Sequence, residues 1–144
     1  MVSGRPKIQK AMSMWYEMYR LPPNAEKRYQ YSIFDSIQTG RTTVSMEEAM
    51  SLSRAMPRLD MLAVTPEFIH LVELKPNAQL KDVGQVLQYE KYLRRDIFIA
   101  QHLNRPIKRV LVSLTDNASV RAACGAEDID YIVIPSVELP QVPE

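Results

Sequence analysis

The stretch Arg58-Leu59-Asp60-Met61-Leu62-Ala63-Val64-Thr65-Pro66-Glu67-Phe68-Ile69-His70-Leu71-Val72-Glu73-Leu74-Lys75 decides how this chain is read. Two β-type runs, 58–64 and 68–75, flank Thr65-Pro66-Glu67, which has the composition of a turn. They predict an antiparallel hairpin. With Val64 paired to Ile69 across the loop, Asp60 falls directly opposite Glu73, and opposed residues share one face with Cβ atoms about 4.5–5.5 Å apart. Lys75 lies two residues beyond Glu73, so strand alternation puts it on that face too. His70 falls on the other face and reads as structural. The inference rests on register, because a slip of one residue would part the two acids.

C-terminal to the hairpin, Pro76-Asn77 ends the second strand and Asp82 opens a long helix. Its apolar positions Val86, Tyr89, Leu93, Ile97 and Ala100 step by three or four, and Asn104-Arg105-Pro106 breaks it. Arg109–Leu114 reads as a buried strand, Asn117–Cys124 as a short helix stopped by Gly125, and Tyr131–Ile134 as a last strand. Strand, helix, strand, helix, strand implies right-handed crossovers and parallel pairing. N-terminal to the hairpin, residues 5–20 predict a helix with Ile8, Ala11, Met12, Trp15 and Tyr19 on one stripe, ended by Pro22-Pro23. Asn24 can cap a second helix to about Gln38, stopped by Gly40, although Tyr29–Phe34 also has strand-like composition. Ser45 and Glu48 have the form of a capping box for a short helix to about Ala55. The expectation is a mixed α/β sheet flanked by helices. One domain is expected over 1–144: a helical part (1–56), a core (57–134) and a loose tail (135–144).

Composition bounds the function without choosing it. The chain is 46 % apolar and 24 % charged, ordinary values for a globular protein. No apolar run approaches the roughly 18 residues that span a bilayer. Met1-Val2-Ser3-Gly4-Arg5 lacks the apolar core of a signal peptide, and the single cysteine, Cys124, permits no intrachain disulfide. An intracellular, reducing location is therefore expected. Net charge is +1, but residues 1–110 hold 17 Lys/Arg against 11 Asp/Glu, while 111–144 hold one against six. A nucleic-acid ligand would favour the first part; a solvated surface with chance asymmetry accounts for it equally well. There is no zinc spacing, phosphate-binding glycine loop or serine nucleophile elbow.

Two carboxylates this close repel unless something positive lies between them. A divalent ion that prefers oxygen meets the need, and Mg²⁺ commonly takes one or two carboxylates while keeping several waters. Such an ion lowers the pKa of bound water and offsets charge on a phosphate, and Lys75 can orient that water or act as a point cation. The competing account is an ordinary salt bridge on an exposed sheet face.

The residues that follow favour chemistry. Arg58-Leu59-Asp60, then Glu73-Leu74-Lys75, then Gln85-Val86-Leu87-Gln88-Tyr89 resembles the PD-(D/E)XK nuclease superfamily, with Gln85 and Tyr89 similar to the Gln-x-x-x-Tyr motif of its RecB-like branch. The i, i+4 spacing puts both side chains on one helix face. Tyr89 also fits core packing; Gln85 has no such reason to be there. The likeness covers roughly residues 57–134. Leu59 stands where the family's nominal proline would be.

The resemblance implies a restriction-endonuclease-like core and a DNA nuclease that uses Mg²⁺, with Mn²⁺ able to substitute. Asp60, Glu73 and the Leu74 carbonyl would hold the metal, with Lys75, Gln85 and Tyr89 completing the site. The family usually adds a first-helix glutamate. Glu26 is the choice here, because it borders the inward face of the second helix with Gln30, Ile33 and Ile37; Glu17 replaces it if Tyr29–Phe34 is the first strand. Glu47 and Glu48 are simply explained as first-turn acids. Lys81, Lys91, Arg94 and Arg95 are candidates for phosphate contact, each equally explained as a solvated helix face. Cys124 reads as a small buried residue. By analogy, the chain could act as a homodimer, cutting two strands, or within a larger nucleoprotein complex. The alternative is a non-catalytic nucleic-acid-binding or assembly protein, or a nuclease subunit targeted by a partner.

Overall fold

Strands β2 (Leu59–Val64) and β3 (Ile69–Leu74) are buried at every position, so both of their faces are covered. The computed structural model describes residues 7–32, 58–94, 99, 102 and 104–143. The helix expected at 45–55, Glu47, Glu48 and Arg95 lie outside them. β2 and β3 pair antiparallel with Val64 opposite Ile69 and Met61 opposite Val72, the expected register. β3 pairs parallel with β4 (Ile107–Ser113), and β4 with β5 (Asp130–Val133). The sheet is mixed, with order β1-β2-β3-β4-β5.

One layer covers each face. Helix α1 (Lys7–Arg20) packs Met12, Trp15 and Tyr16 on Met61, Ala63, Val72, Leu74, Val110 and Val112. Helices α2 (Leu80–Leu93) and α3 (Ala118–Ala126) cover the opposite face, where Val86, Tyr89, Leu93, Val120 and Cys124 meet Leu62, Ile69, Leu71 and Leu111. Each such side chain contributes about 1.5–3 kcal/mol of burial. Among the described residues, no helix is long and apolar enough to cross a membrane.

Several expectations change. The segment after Asn24 is not helical where described: Glu26–Tyr31 is strand β1, antiparallel to β2 with Glu26 opposite Val64 and Tyr31 opposite Leu59. The free edge of β2 decides this, because pairing satisfies backbone groups that propensity alone leaves open. The buried face of α1 is turned from the expected stripe: Tyr16 is buried, whereas Ile8 and Tyr19 are 38 % and 54 % exposed. Helix α3 passes through Gly125 to Ala126, so glycine does not stop it. The tail is not loose. Ser136–Glu138 forms a 3₁₀ turn, Glu138 accepts the Trp15 indole N–H at 3.0 Å, and Leu139 packs against the α1 layer.

Helix α2 starts at Leu80, two residues before the expected Asp82, whose carboxylate accepts the Gln79 N–H at 2.8 Å, and ends at Leu93, short of the expected Ile97 and Ala100, which lie outside the described residues. An acid that takes an orphan N–H in the first turn stabilises the helix start. Asn117 caps α3, its side-chain oxygen accepting from the Ser119 and Val120 N–H groups at 3.0 and 3.2 Å. Both caps fix helices that follow short turns from the sheet.

Candidate active site

Past Met61 and Val72 the β2–β3 pairing gives way to side chains. The Asp60 carboxylate accepts the Leu74 N–H at 2.8 Å, and the Glu73 carboxylate accepts the Asp60 N–H at 3.1 Å. Each acid therefore satisfies a backbone donor of the other's neighbourhood. The two are 6 % and 1 % exposed, and Glu73 lies on the β3 face that carries Ile69 and Leu71, toward α2. Lys75 follows on that face, with Nζ 3.6 Å from Glu73 Oε2. Tyr89, from α2, covers the pair and donates its hydroxyl to the Arg58 carbonyl at 3.3 Å. Gln85 lies one turn earlier and lines, with Lys75, Lys81, Asp82 and Gln88, a hollow of about 540 Å³. Asp60, Glu73, Lys75, Gln85 and Tyr89 are thus brought to one end of the sheet by two strands and one helix.

The electrostatics follow from burial. The Glu73 pKa is pushed up to about 8, first by desolvation and then by the Asp60 charge; the Asp60 N–H and Lys75 pull it the other way. Burial, then Glu73 and Asp60, drive the Tyr89 hydroxyl far above its usual range, so it remains a proton donor. His70 is on the opposite face, as expected, with Nδ1 2.8 Å from the Tyr16 hydroxyl oxygen. Burial first, then Lys108, lowers its pKa to about 4, so it is neutral near pH 7. It takes no part in this site.

Other candidates are placed elsewhere. Glu26 shares the Asp60 face, but it stands opposite Val64, four residues from Asp60 and so roughly 13 Å along the strand. It is exposed and pairs with Arg28 at 3.7 Å. The helix that was to point it inward is a strand. Glu17 lies on α1 across the sheet, held by the Tyr29 hydroxyl and by Lys27 at 3.6 Å. Of the cationic candidates, Lys81 is exposed at the start of α2. Arg94 is bound to Glu90 at 2.7 Å, and Lys91 lies 5.9 Å from the Tyr92 ring centre. Arg94 is thus committed to an ion pair.

Two further residues reach the site that the sequence did not assign to it. Gln30 adopts a left-handed φ of 50°, and its amide reaches Asp60 Oδ1 at 3.5 Å. A non-glycine residue in that region costs about 1–2 kcal/mol, and such strain collects at functional sites. Gln9, on α1, donates to the Leu74 carbonyl at 2.8 Å. Neither carries a sequence signal, since both depend on which strand edge their segment meets.

The donor set fits a hard cation. Among the described residues, no group of three or more His, Cys, Asp and Glu gathers, so an ion here would rest on two carboxylates. The Leu74 carbonyl leaves β3 on the same side as the N–H that Asp60 receives, since both groups of one residue project together from an extended strand. Two carboxylates and a carbonyl are oxygen donors suited to Mg²⁺ with retained waters. A cation would also relieve the like-charge crowding that raises Glu73.

No protein-family model matches the chain, and no curated protein matches it. Two solved structures share its fold. The crystal structure of a repair endonuclease from Pyrococcus abyssi is 13 % identical, with a TM-score of 0.54 over 96 % of this chain and 50 % of that one. The EndoMS–dsDNA2 complex is 13 % identical, with a TM-score of 0.55 over 99 % of this chain and 49 % of that one. The chain spans about half the length of either.

Proposed function

We propose that the chain is a Mg²⁺-dependent nuclease unit of the PD-(D/E)XK type that hydrolyses phosphodiester bonds in DNA. The observation that carries the reading is the convergence of Asp60, Glu73 and Lys75, cross-bonded through the backbone at the end of two strands. The shared fold supports it, because one neighbour is described as a repair endonuclease and the other as an EndoMS–dsDNA2 complex. At the site, Asp60, Glu73 and the Leu74 carbonyl would hold Mg²⁺, which supplies a water of lowered pKa and charge for the phosphate. Lys75 would orient an attacking water and face the charge that develops on the phosphate oxygens. Gln85 borders the same hollow and contacts the substrate backbone. Tyr89 holds the Arg58 carbonyl and closes the pair from above, keeping its proton throughout.

The test incubates the purified protein with linear, circular, single-stranded and branched DNA in Mg²⁺ or EDTA, beside Asp60→Ala and Lys75→Ala. Cleavage that needs Mg²⁺ and is lost in both variants supports the reading. Equal cutting by all three proteins would assign the activity to a contaminant and sink it. A second reading, a unit that acts only within a dimer or larger assembly inside the cell, is favoured by the net charge of +1, which gives little intrinsic affinity for DNA. It predicts DNA binding alone, with cleavage restored by a partner.

A further inference from the structure

Beside the catalytic hollow lies a second one, of about 420 Å³, lined by Asn77, Gln79, Leu80, Lys81, Asn117 and Ser119. Lys81 lines both. The chemistry of this lining is one-sided. No carboxylate borders it. The Asn77 side-chain oxygen already accepts the Thr115 hydroxyl at 2.9 Å, which turns the Asn77 NH₂ away from that contact. The Asn117 side-chain oxygen is likewise spent on the Ser119 and Val120 N–H groups. Both amides keep their NH₂ donors to offer; the Asn117 oxygen is filled, while Asn77 Oδ1 retains one lone pair. With the Ser119 hydroxyl and the Lys81 ammonium, which makes no ion pair among the described residues, the hollow offers donors and one positive charge. At the start of α2 Asp82 takes the Gln79 N–H, and at the start of α3 Asn117 takes the Ser119 and Val120 N–H groups, so the side chains make up the rest of the lining.

We infer that this hollow binds a non-scissile phosphodiester of the substrate strand, so that the strand runs from Lys75 past Lys81 to Asn117 and Ser119. The inference rests on the nuclease reading above. A phosphodiester is a singly charged, acceptor-only group, and a lining of neutral N–H and O–H donors with one ammonium matches it. The path also gives the strand a direction across the sheet end: from the acid pair, over the start of α2, toward the start of α3.

The test measures binding of labelled DNA by fluorescence anisotropy in EDTA over a salt series. Proteins compared are the wild type, Lys81→Gln, Ser119→Glu and, as a charge control on the α1 face, Lys108→Gln. Ser119 is the second residue of α3, where an acid stabilises a helix, so Ser119→Glu should remain folded. The inference expects Lys81→Gln to lower the salt slope by about one, as loss of a single phosphate contact does. Ser119→Glu should weaken binding several-fold, and Lys108→Gln should leave the slope unchanged. A scan of single neutral methylphosphonate linkages should find one position that weakens wild type and has no effect in Lys81→Gln. Inorganic phosphate at millimolar levels should compete weakly and equally for every position if only a free anion is held, which would overturn the assignment to a strand. Unchanged binding by Lys81→Gln and Ser119→Glu, with Mg²⁺-dependent cleavage intact, sinks this inference alone. Absence of all DNA binding and cleavage sinks the nuclease reading with it.

Discussion

Glu73 accepts the backbone N–H of Asp60 at 3.1 Å across two strands, so the acids are held together by the chain itself before any cation arrives. The cost of that arrangement appears as a pKa. Burial, and then the Asp60 charge, put Glu73 at about 8 when folded, against 4.5 when exposed. The folded state therefore binds the proton more tightly, and its contribution to stability is complete below about 4.5 and lost as pH rises through about 8. In EDTA, thermal stability should fall between pH 5 and pH 8, and Glu73→Gln should flatten that slope. Mg²⁺ should raise Tm more at pH 8 than at pH 5.5, because only the ionised acid gains from it. A Glu73→Gln profile as steep as wild type would refute the account.

On the other face, His70 works in the opposite sense. Its folded pKa of about 4, against 6.5 when exposed, means that the unfolded chain takes up the proton first. Stability from this group is present above about pH 6.5 and is lost as pH falls through 4. Replacing His70 with Gln should reduce acid sensitivity in that window, read by denaturant titration at pH 4.5 and 7. Cleavage should not change, because the ring lies across the sheet from Asp60.

Glu90, 8 % exposed on α2, is held by Arg109 of β4 and by Arg94, and this tie joins helix to sheet. Arg109→Ala removes the sheet partner and leaves a buried carboxylate half-satisfied, which should cost about 3 kcal/mol. Arg94, with a side chain 53 % exposed, should cost under about 1 kcal/mol when replaced by Ala. Urea unfolding of the two variants gives the comparison; equal losses would show that Arg109 is not the principal partner.

The C-terminal segment can be read through the chain's one tryptophan. Removing residues 136–144 deletes the Glu138 acceptor of the Trp15 indole and the packed Leu139. Trp15 emission should shift to the red, and stability should fall by roughly 2 kcal/mol from the lost hydrogen bond and burial. Unchanged emission would mean that the segment is not seated on α1.

Exchanging Glu26 for Ala should leave Mg²⁺-dependent cleavage within about 2-fold of wild type, since a surface change distant from the chemistry is generally near neutral. A loss comparable to that of Asp60→Ala, on the order of 100-fold or more, would restore Glu26 to the site.

The hairpin was legible because its information is local. Two near-continuous apolar runs joined by the short Thr65-Pro66-Glu67 turn predict a hairpin with Val64 opposite Ile69, and that register brings Asp60, Glu73 and Lys75 to one end of the sheet. The long helix, with Gln85 and Tyr89 one turn apart, followed from its spacing in the same way. What the residues left open was settled by partners distant in the chain. Glu26–Tyr31 became a strand because the edge of β2 needed pairing, and that moved Glu26 away while bringing Gln30 to Asp60. Gln9 and the tail met the site and α1 only through packing, with 65 residues between Gln9 and Leu74 and 123 between Trp15 and Glu138. Local pattern determines periodicity and hence faces; only long-range contact decides which face meets which, because that free energy is not written in any one segment.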